Sequence, residues 1–337
     1  MRAFEITGRH AGEVVDVPSP RPTSGQVVVR VGFAGICGTD IGLLHADDEE
    51  LAEKRASHPL RPGHEWSGTV ARLGDGVDQT WLGRRVTGDT MLGCNRCARC
   101  ADGRHHLCEN RREIGVRGGW PGALAEELLV PITALRVLPD SVDDRMGALV
   151  EPGGNAWRAV NAGGVGAGSL VLVLGSGTIG LLAAQFARAA GAEVHVFGVD
   201  PGTLGLAEEL GLGPTWTTDD LPVLPWDVVL DATDAPTMPA FAMQVAEPGR
   251  RVVLIGVAHA PSDLDSRRIV RKELRVEGVL GASQGLAPAI AAFASGAVDP
   301  RPLVAAEIGL EGVADVLNGI RPAGAGPGPK VLVRLST

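Results

Sequence analysis

Four of the chain's five cysteines fall within "CNRCARCADGRHHLC", residues 94–108, where Cys94, Cys97, Cys100 and Cys108 follow the spacing C-x2-C-x2-C-x7-C. Four thiolates complete a tetrahedral zinc shell and leave no position for a substrate, which marks a structural site. Two rival readings exist. An iron–sulfur motif of this start continues C-x3-C-P, whereas here the gap is seven residues and Glu109 follows the last cysteine. Disulfides are disfavoured by the odd cysteine count in a chain without a secretion signal. Arg96, Arg99, Arg104, Arg111 and Arg112 flank the cluster and offset the double negative charge of a zinc tetrathiolate. His105 and His106 read as surface residues of this lobe, about residues 88–118, because the shell is already complete.

Cys37 is left over. "GICGTD" holds Cys37, Thr39 and Asp40, "RPGHEWSG" holds His64 and Glu65, and "LVEPGGNAW" holds Glu151. Taken singly, each has an ordinary explanation in packing, capping or surface exposure. Together, a thiolate, an imidazole and a carboxylate make a zinc set with one position open for water or substrate. A third feature strengthens this reading. "LVLVLGSGTIGLLAAQFARAAGAEVHVFGVD" places Gly175, Gly177 and Gly180 as G-x-G-x-x-G, with Thr178 and Ile179 between the last two. The motif follows an apolar strand and opens an amphipathic helix, the context of a dinucleotide fingerprint. Gly175 permits the turn, Gly177 admits a pyrophosphate to the backbone, Gly180 lets helix pack on strand, and the helix N-terminus favours the bound charge. Asp200 lies twenty residues beyond Gly180, at the distance of the acid that binds the adenosine ribose of NAD. The position usually acidic in such strands aligns with Gly198, which makes room for the 2′-phosphate of NADP. Against NADP, no Lys or Arg occurs from 189 to 249, so the balance leans to NAD.

These groups must be positioned by two kinds of architecture. At 337 residues the chain is long enough for about two domains. Residues 1–150 read as short Val-rich strands broken by Gly and Pro, an all-β pattern. From about residue 169, apolar strands such as "SLVLVLG", "WDVVLDAT" and "GRRVVLIGV" alternate with helices, which implies an α/β, doubly wound parallel sheet. The end reads as a helix, a Pro/Gly loop and a last strand, "KVLVRL", that returns to the first domain. The expected division is 1–150 completed by 286–337, with 151–285 as the sheet domain. The formal charge of −9 offers no attraction for phosphate backbones or anionic lipid, so neither nucleic acid nor a membrane surface is an expected partner. The N-terminus lacks an apolar signal core and the most apolar stretch is interrupted by Arg188, which predicts a cytoplasmic location. The acidic run "DDEE" at 47–50 reads as a solvated loop.

Taken in order, "GICGTD", "GHEWSGTV", the four cysteines, "VEP" and "GSGTIG" resemble the zinc-dependent medium-chain dehydrogenases, the superfamily of alcohol, sorbitol and threonine dehydrogenases, over essentially the whole length. The resemblance implies a GroES-like β-barrel, a Rossmann domain, an active site in the cleft between them, two zinc ions per chain and a homodimer or homotetramer. It also implies the ligand set. Liver-type alcohol dehydrogenases use a second catalytic cysteine, but only Cys37 remains here, so the third ligand is a carboxylate. Glu65 is the first choice on the polyol and threonine dehydrogenase pattern, with Glu151 the alternative ligand or the holder of the zinc-bound water. In that chemistry a Lewis-acid metal lowers the pKa of the substrate hydroxyl, Thr39 takes the proton, and the carbinol hydrogen leaves as hydride for nicotinamide C4. Asp40 orients His64. The relay histidine of many relatives is replaced by Gly42; His45, three residues on, is its candidate substitute or an exposed loop residue. Trp66, Trp120 and Trp157 are candidate pocket walls. The expected substrate is the secondary alcohol of a polyol, sugar or cyclitol, since an aromatic content of 4% argues against a ring-walled pocket. An amino-alcohol, a threonine-like or a simple alcohol substrate is the alternative. A non-catalytic nucleotide-binding relative and a zinc-free enone reductase fit less well, because the chain keeps both metal sets.

Overall fold

The structure, a computed structural model, describes residues 1–258 and 260–336, so Thr337 at the end of the expected returning segment lies outside it. The described residues divide into two compact units: 1–151 with 304–326 and 330–336, and 152–258 and 260–303 with 327–329.

In the first unit the strand Gln26–Ile36 is the organising element. Every residue of it except Arg30 is buried or partly buried, as expected where a sheet curls and covers both of its faces. It pairs antiparallel with Glu65–Leu73, with register shifts at Val28/Val29 and Val31/Phe33 that bend it. The full seven-stranded sheet runs Val304–Ile308, Lys330–Arg334, Gln26–Ile36, Glu65–Leu73, Arg85–Gly88, Leu135–Val137, with Glu127–Pro131 also on Gln26–Ile36. The expected GroES-like domain is present. Its core is built from Phe4, Ile36, Leu43, Leu44, Trp66 and Leu128. Trp66 is 1% exposed and therefore packs this core instead of lining a pocket. The last strand does return: Val331 faces Ile36, Leu332 faces Gly35 and Val333 faces Ala34. The run at 47–50 is solvated but not a loop, because Asp47 and Glu50 form a reciprocal capping box that starts a helix at Asp48–Glu53.

The second unit is a six-stranded, all-parallel sheet in the order Thr215–Trp216, Glu193–Phe197, Leu170–Leu174, Val228–Asp231, Arg251–Leu254, Arg275–Gly278. The strand first in sequence is third in space, so the order reverses beside Leu170–Leu174, and ligands of such sheets sit beyond the strand ends at that reversal. The expected boundary at 286 is corrected. Helix Leu286–Ser295 belongs with this unit, where Phe293 stacks on Phe186 at 6.4 Å and lies over Gly153. The return to the barrel begins only at Val304.

Candidate active site

Cys37 ends the long strand's exit and caps helix Gly38–His45. Asp40, fully buried, ties the neighbouring segments together: Oδ2 accepts from the Cys37 backbone N–H at 2.9 Å and Oδ1 from that of Gly63 at 3.0 Å. Oδ1 also lies 3.3 Å from His64 Nδ1. This turns Nδ1 of the imidazole to Asp40 and leaves Nε2 for a metal, the arrangement expected of an orienting carboxylate. Nδ1 is buried without a fully aligned hydrogen bond. Burial by itself would lower the His64 pKa, but the Asp40 carboxylate and Cys37 outweigh it and hold the imidazole well above its ordinary value. Burial likewise opposes ionisation of Asp40, yet His64 and the two backbone N–H groups keep it below the usual carboxylate range.

One ligand atom each from Cys37, His64 and Glu65 lies within 4.8 Å of the others. The donor set fits zinc: one thiol, one imidazole, one carboxylate. Glu151 is buried but does not join this group. Thr39 is exposed, its Oγ1 3.9 Å from Cys37 Sγ. Among the described residues His45 turns to His10 and not to Cys37, His64 or Glu65. Its Nδ1 is 2.7 Å from Nδ1 of His10, and its backbone carbonyl accepts from Arg9.

A residue that sequence reasoning passed over is Lys330. Its Nζ lies 2.6 and 2.8 Å from the two Glu65 oxygens and donates to the Ile36 carbonyl at 2.9 Å, with only 2% of the residue exposed. Burial disfavours the ammonium, but Glu65, Cys37 and Asp40 raise its pKa and keep it charged. A lone lysine opening a Val-rich terminal strand was the available signal.

In the four-cysteine lobe, Cys97 Sγ is 3.5 Å from Cys100 Sγ and 3.8 Å from Cys108 Sγ, far beyond a disulfide bond of about 2.05 Å. All four thiols gather in one group. Backbone N–H groups, that of Arg96 foremost, pull Cys94 down to about 6. Burial, then the neighbouring thiols, push Cys100 up to about 11. Four thiols held this close repel one another once ionised, and a cation such as zinc would relieve that repulsion. The two lobe histidines are not simple surface residues. His106 is buried, and His105 Nε2 meets Asp89 at 2.7 Å. Among the arginines, Arg99 pairs with Glu109 and Arg104 with Asp102, both at 2.9 Å.

In the second unit Gly175 takes φ +105°, a left-handed turn. A Cβ on Gly180 would come within 1.8 Å of the Gly175 carbonyl, so helix Thr178–Ala189 packs there only on glycine. A Cβ on Gly177 would meet nothing of the chain. Internal packing therefore does not require glycine at 177. The N–H groups of Thr178, Ile179 and Gly180 open the helix and have no partner within it. Asp200 caps the next helix, Pro201–Glu209, accepting from Thr203 N–H at 3.0 Å. Gly198 lies against Ser176 Oγ, which shares a 2.6 Å hydrogen bond with Thr203.

Residues 23–140 match the family described as the alcohol dehydrogenase GroES-like domain, and residues 178–295 match the zinc-binding dehydrogenase family. An L-threonine 3-dehydrogenase of Chelativorans sp. (strain BNC1) is 32% identical over 276 residues, 79% of each chain. A zinc-binding dehydrogenase of Sinorhizobium meliloti 1021, solved bound to NADP, is 33% identical with a TM-score of 0.87 over 99% of this chain and 98% of that one. The 2R,3R-butanediol dehydrogenase of Bacillus subtilis is 25% identical with a TM-score of 0.85, covering 99% of both chains.

Proposed function

The chain belongs to the zinc-binding medium-chain dehydrogenases and is an alcohol dehydrogenase-type oxidoreductase; from that premise we propose that it transfers hydride between NAD and the secondary alcohol of a polyol, sugar or cyclitol. The observation that carries this reading is the gathering of Cys37, His64 and Glu65 within 4.8 Å while the other four thiols are committed elsewhere. A carboxylate standing where liver-type enzymes use a second thiol fits the polyol and threonine dehydrogenase pattern, and the likeness to a diol dehydrogenase supports the polyol side of it. A second reading, a threonine-like 2-amino-3-hydroxy substrate, is supported by the name of the curated relative.

When bound, zinc supplies the Lewis acidity that makes an alcohol hydroxyl acidic near neutral pH. Cys37, His64 and Glu65 would hold it, with Glu151 the alternative carboxylate. Asp40 fixes the His64 ring and its tautomer through Nδ1. Lys330 holds Glu65 in place and balances its charge. Thr39, exposed beside Cys37, would take the substrate hydroxyl proton at Oγ1 while giving up its own hydroxyl proton to solvent water. In the second unit the turn Gly175–Gly180 receives the pyrophosphate. NAD is the proposed nucleotide because Asp200 sets a carboxylate, and no basic residue, beside the strand end where a 2′-phosphate would lie. Further parts of the proposal are a homodimer or homotetramer, checked by light scattering, and a cytoplasmic location. Among the described residues no helix is long and apolar enough to cross a membrane.

The test is reduction of NAD⁺ and NADP⁺ by the zinc-loaded protein across polyols, sugars, cyclitols, 2-amino-3-hydroxy acids and simple alcohols. Highest kcat/KM with a polyol, sugar or cyclitol supports the first reading, and highest kcat/KM with L-threonine supports the second. No turnover with any class defeats both.

A further inference from the structure

Arginines of the four-cysteine lobe and Arg55 from the segment before it together line a pocket. An open cavity of about 680 Å³ in the first unit is walled by Arg55, Arg96, Arg111, Arg112, Asn110 and Trp120. This volume lies within the roughly 300–1,000 Å³ of small-ligand sites. In a chain of net charge −9, four guanidinium groups around one cavity call for an explanation.

None of the four forms an ion pair or a side-chain hydrogen bond among the described residues, whereas Arg99 and Arg104 of the same lobe each have a carboxylate. Arg112 only stacks over Trp120, at 5.8 Å from the ring centre. Three of the four are exposed, where a lone guanidinium is ordinary. Arg111 is different. It is half-buried, and its Nε lies out of reach of water with no acceptor. Arg117, just outside the lining, has the same orphaned Nε. Burial and the nearness of Arg111 and Arg55 push its guanidinium down. The carboxylate facing this group is Glu113, which also faces Lys54. Six cations thus stand against Glu113 and the double charge of a zinc-filled tetrathiolate, and positive charge remains in excess. Guanidinium groups gathered around one cavity with no carboxylate of their own repel one another, and an anion seated in the cavity is the partner that would offset them.

We propose that this pocket is a binding site for a phosphate group, free or as a phosphate monoester, held by Arg111 with Arg55, Arg96 and Arg112. Planar forked guanidinium groups suit a tetrahedral dianion. The cavity is larger than phosphate alone, and Trp120 offers an apolar wall for an attached organic part. The assignment is independent of which alcohol the chain oxidises.

The experiment is calorimetric titration of the full-length, zinc-loaded protein with sodium phosphate and separately with glycerol 2-phosphate, at ionic strength matched with chloride. Saturable binding of either is expected. It should weaken about tenfold or more in Arg111→Gln, the scale of one lost charge-assisted hydrogen bond, and likewise in the double variant Arg55→Gln/Arg96→Gln, whose residues are exposed and whose fold is not at risk. NAD⁺ affinity should be unchanged in both, which separates this pocket from phosphate captured at the glycine-rich turn. Binding of the monoester as tight as phosphate or tighter assigns the site to phosphorylated small molecules, and binding of phosphate alone assigns it to the free ion. No saturable binding of either probe, or binding as strong in both variants as in the wild type, overturns the proposal.

Discussion

Asp40 touches no substrate in this scheme, yet it governs how His64 meets the metal. Replacing it by Asn keeps the size and removes the charge that fixes the imidazole. Asp40→Asn should therefore weaken zinc at the Cys37 site by about 10–100-fold while leaving the tetrathiolate zinc in place. Competition with a chelator measures this, and unchanged affinity would show that the ring needs no orienting carboxylate. Lys330 makes the complementary case. Losing one partner of a buried ion pair costs about 3–5 kcal/mol, so Lys330→Met should lower the stability of the zinc-free chain by that order in urea. The loss should be smaller with zinc bound, because the metal supplies the missing positive charge beside Glu65. Cys37, His64 and Glu65 were legible in the sequence because their types and short motifs carry the chemistry. Lys330 was not, because its partner lies 265 residues away and no local spacing records that contact. The pairing of His45 with His10 escaped notice for the same reason.

At the scale of elements, legibility followed locality. The glycine-rich turn was readable because strand, turn and helix are consecutive, and the structure gives it a steep test. Gly180→Ala must force helix Thr178–Ala189 away from the Gly175 carbonyl. A cost of about 1–3 kcal/mol or more is expected, with loss of NAD⁺ binding by fluorescence titration. Helix Leu286–Ser295 was assigned to the wrong unit because an apolar helix face looks alike whichever core it joins; only Phe293 on Phe186 decides it. The helix at Asp48–Glu53 was hidden by its charge, since capping by Asp47 outweighs the polar character of the run. In the barrel, Arg72 on strand Glu65–Leu73 grips Glu127 on strand Glu127–Pro131 with two contacts of 2.6 and 2.7 Å. Those hydrogen bonds hold Glu127 below its ordinary value of 4.5. A depressed carboxylate stabilises the fold above its unfolded pKa and loses that contribution as pH falls through the folded one. Glu127→Gln should thus lower Tm at neutral pH slightly and converge with the wild type below pH 4.5. A gap that persists at low pH would show that the pair acts through packing alone.

For the molecule as a whole, metal content is the plainest check. Two zinc ions per chain are expected, and Cys100→Ser should lose about one, from the lobe, since a tetrathiolate shell needs all four ligands. Elemental analysis reads this directly, and a coloured, iron-containing protein would reverse the assignment of the lobe. The strand Lys330–Arg334 carries a consequence for how the molecule is made. It closes against Gln26–Ile36, so a nascent chain has synthesised the proposed zinc-holding residues Cys37, His64 and Glu65 long before the lysine that steadies Glu65 leaves the ribosome. A polypeptide halted anywhere before residue 330 carries an open barrel edge and an unbalanced Glu65. Such fragments are expected to be poor zinc acceptors and ready targets for proteolysis.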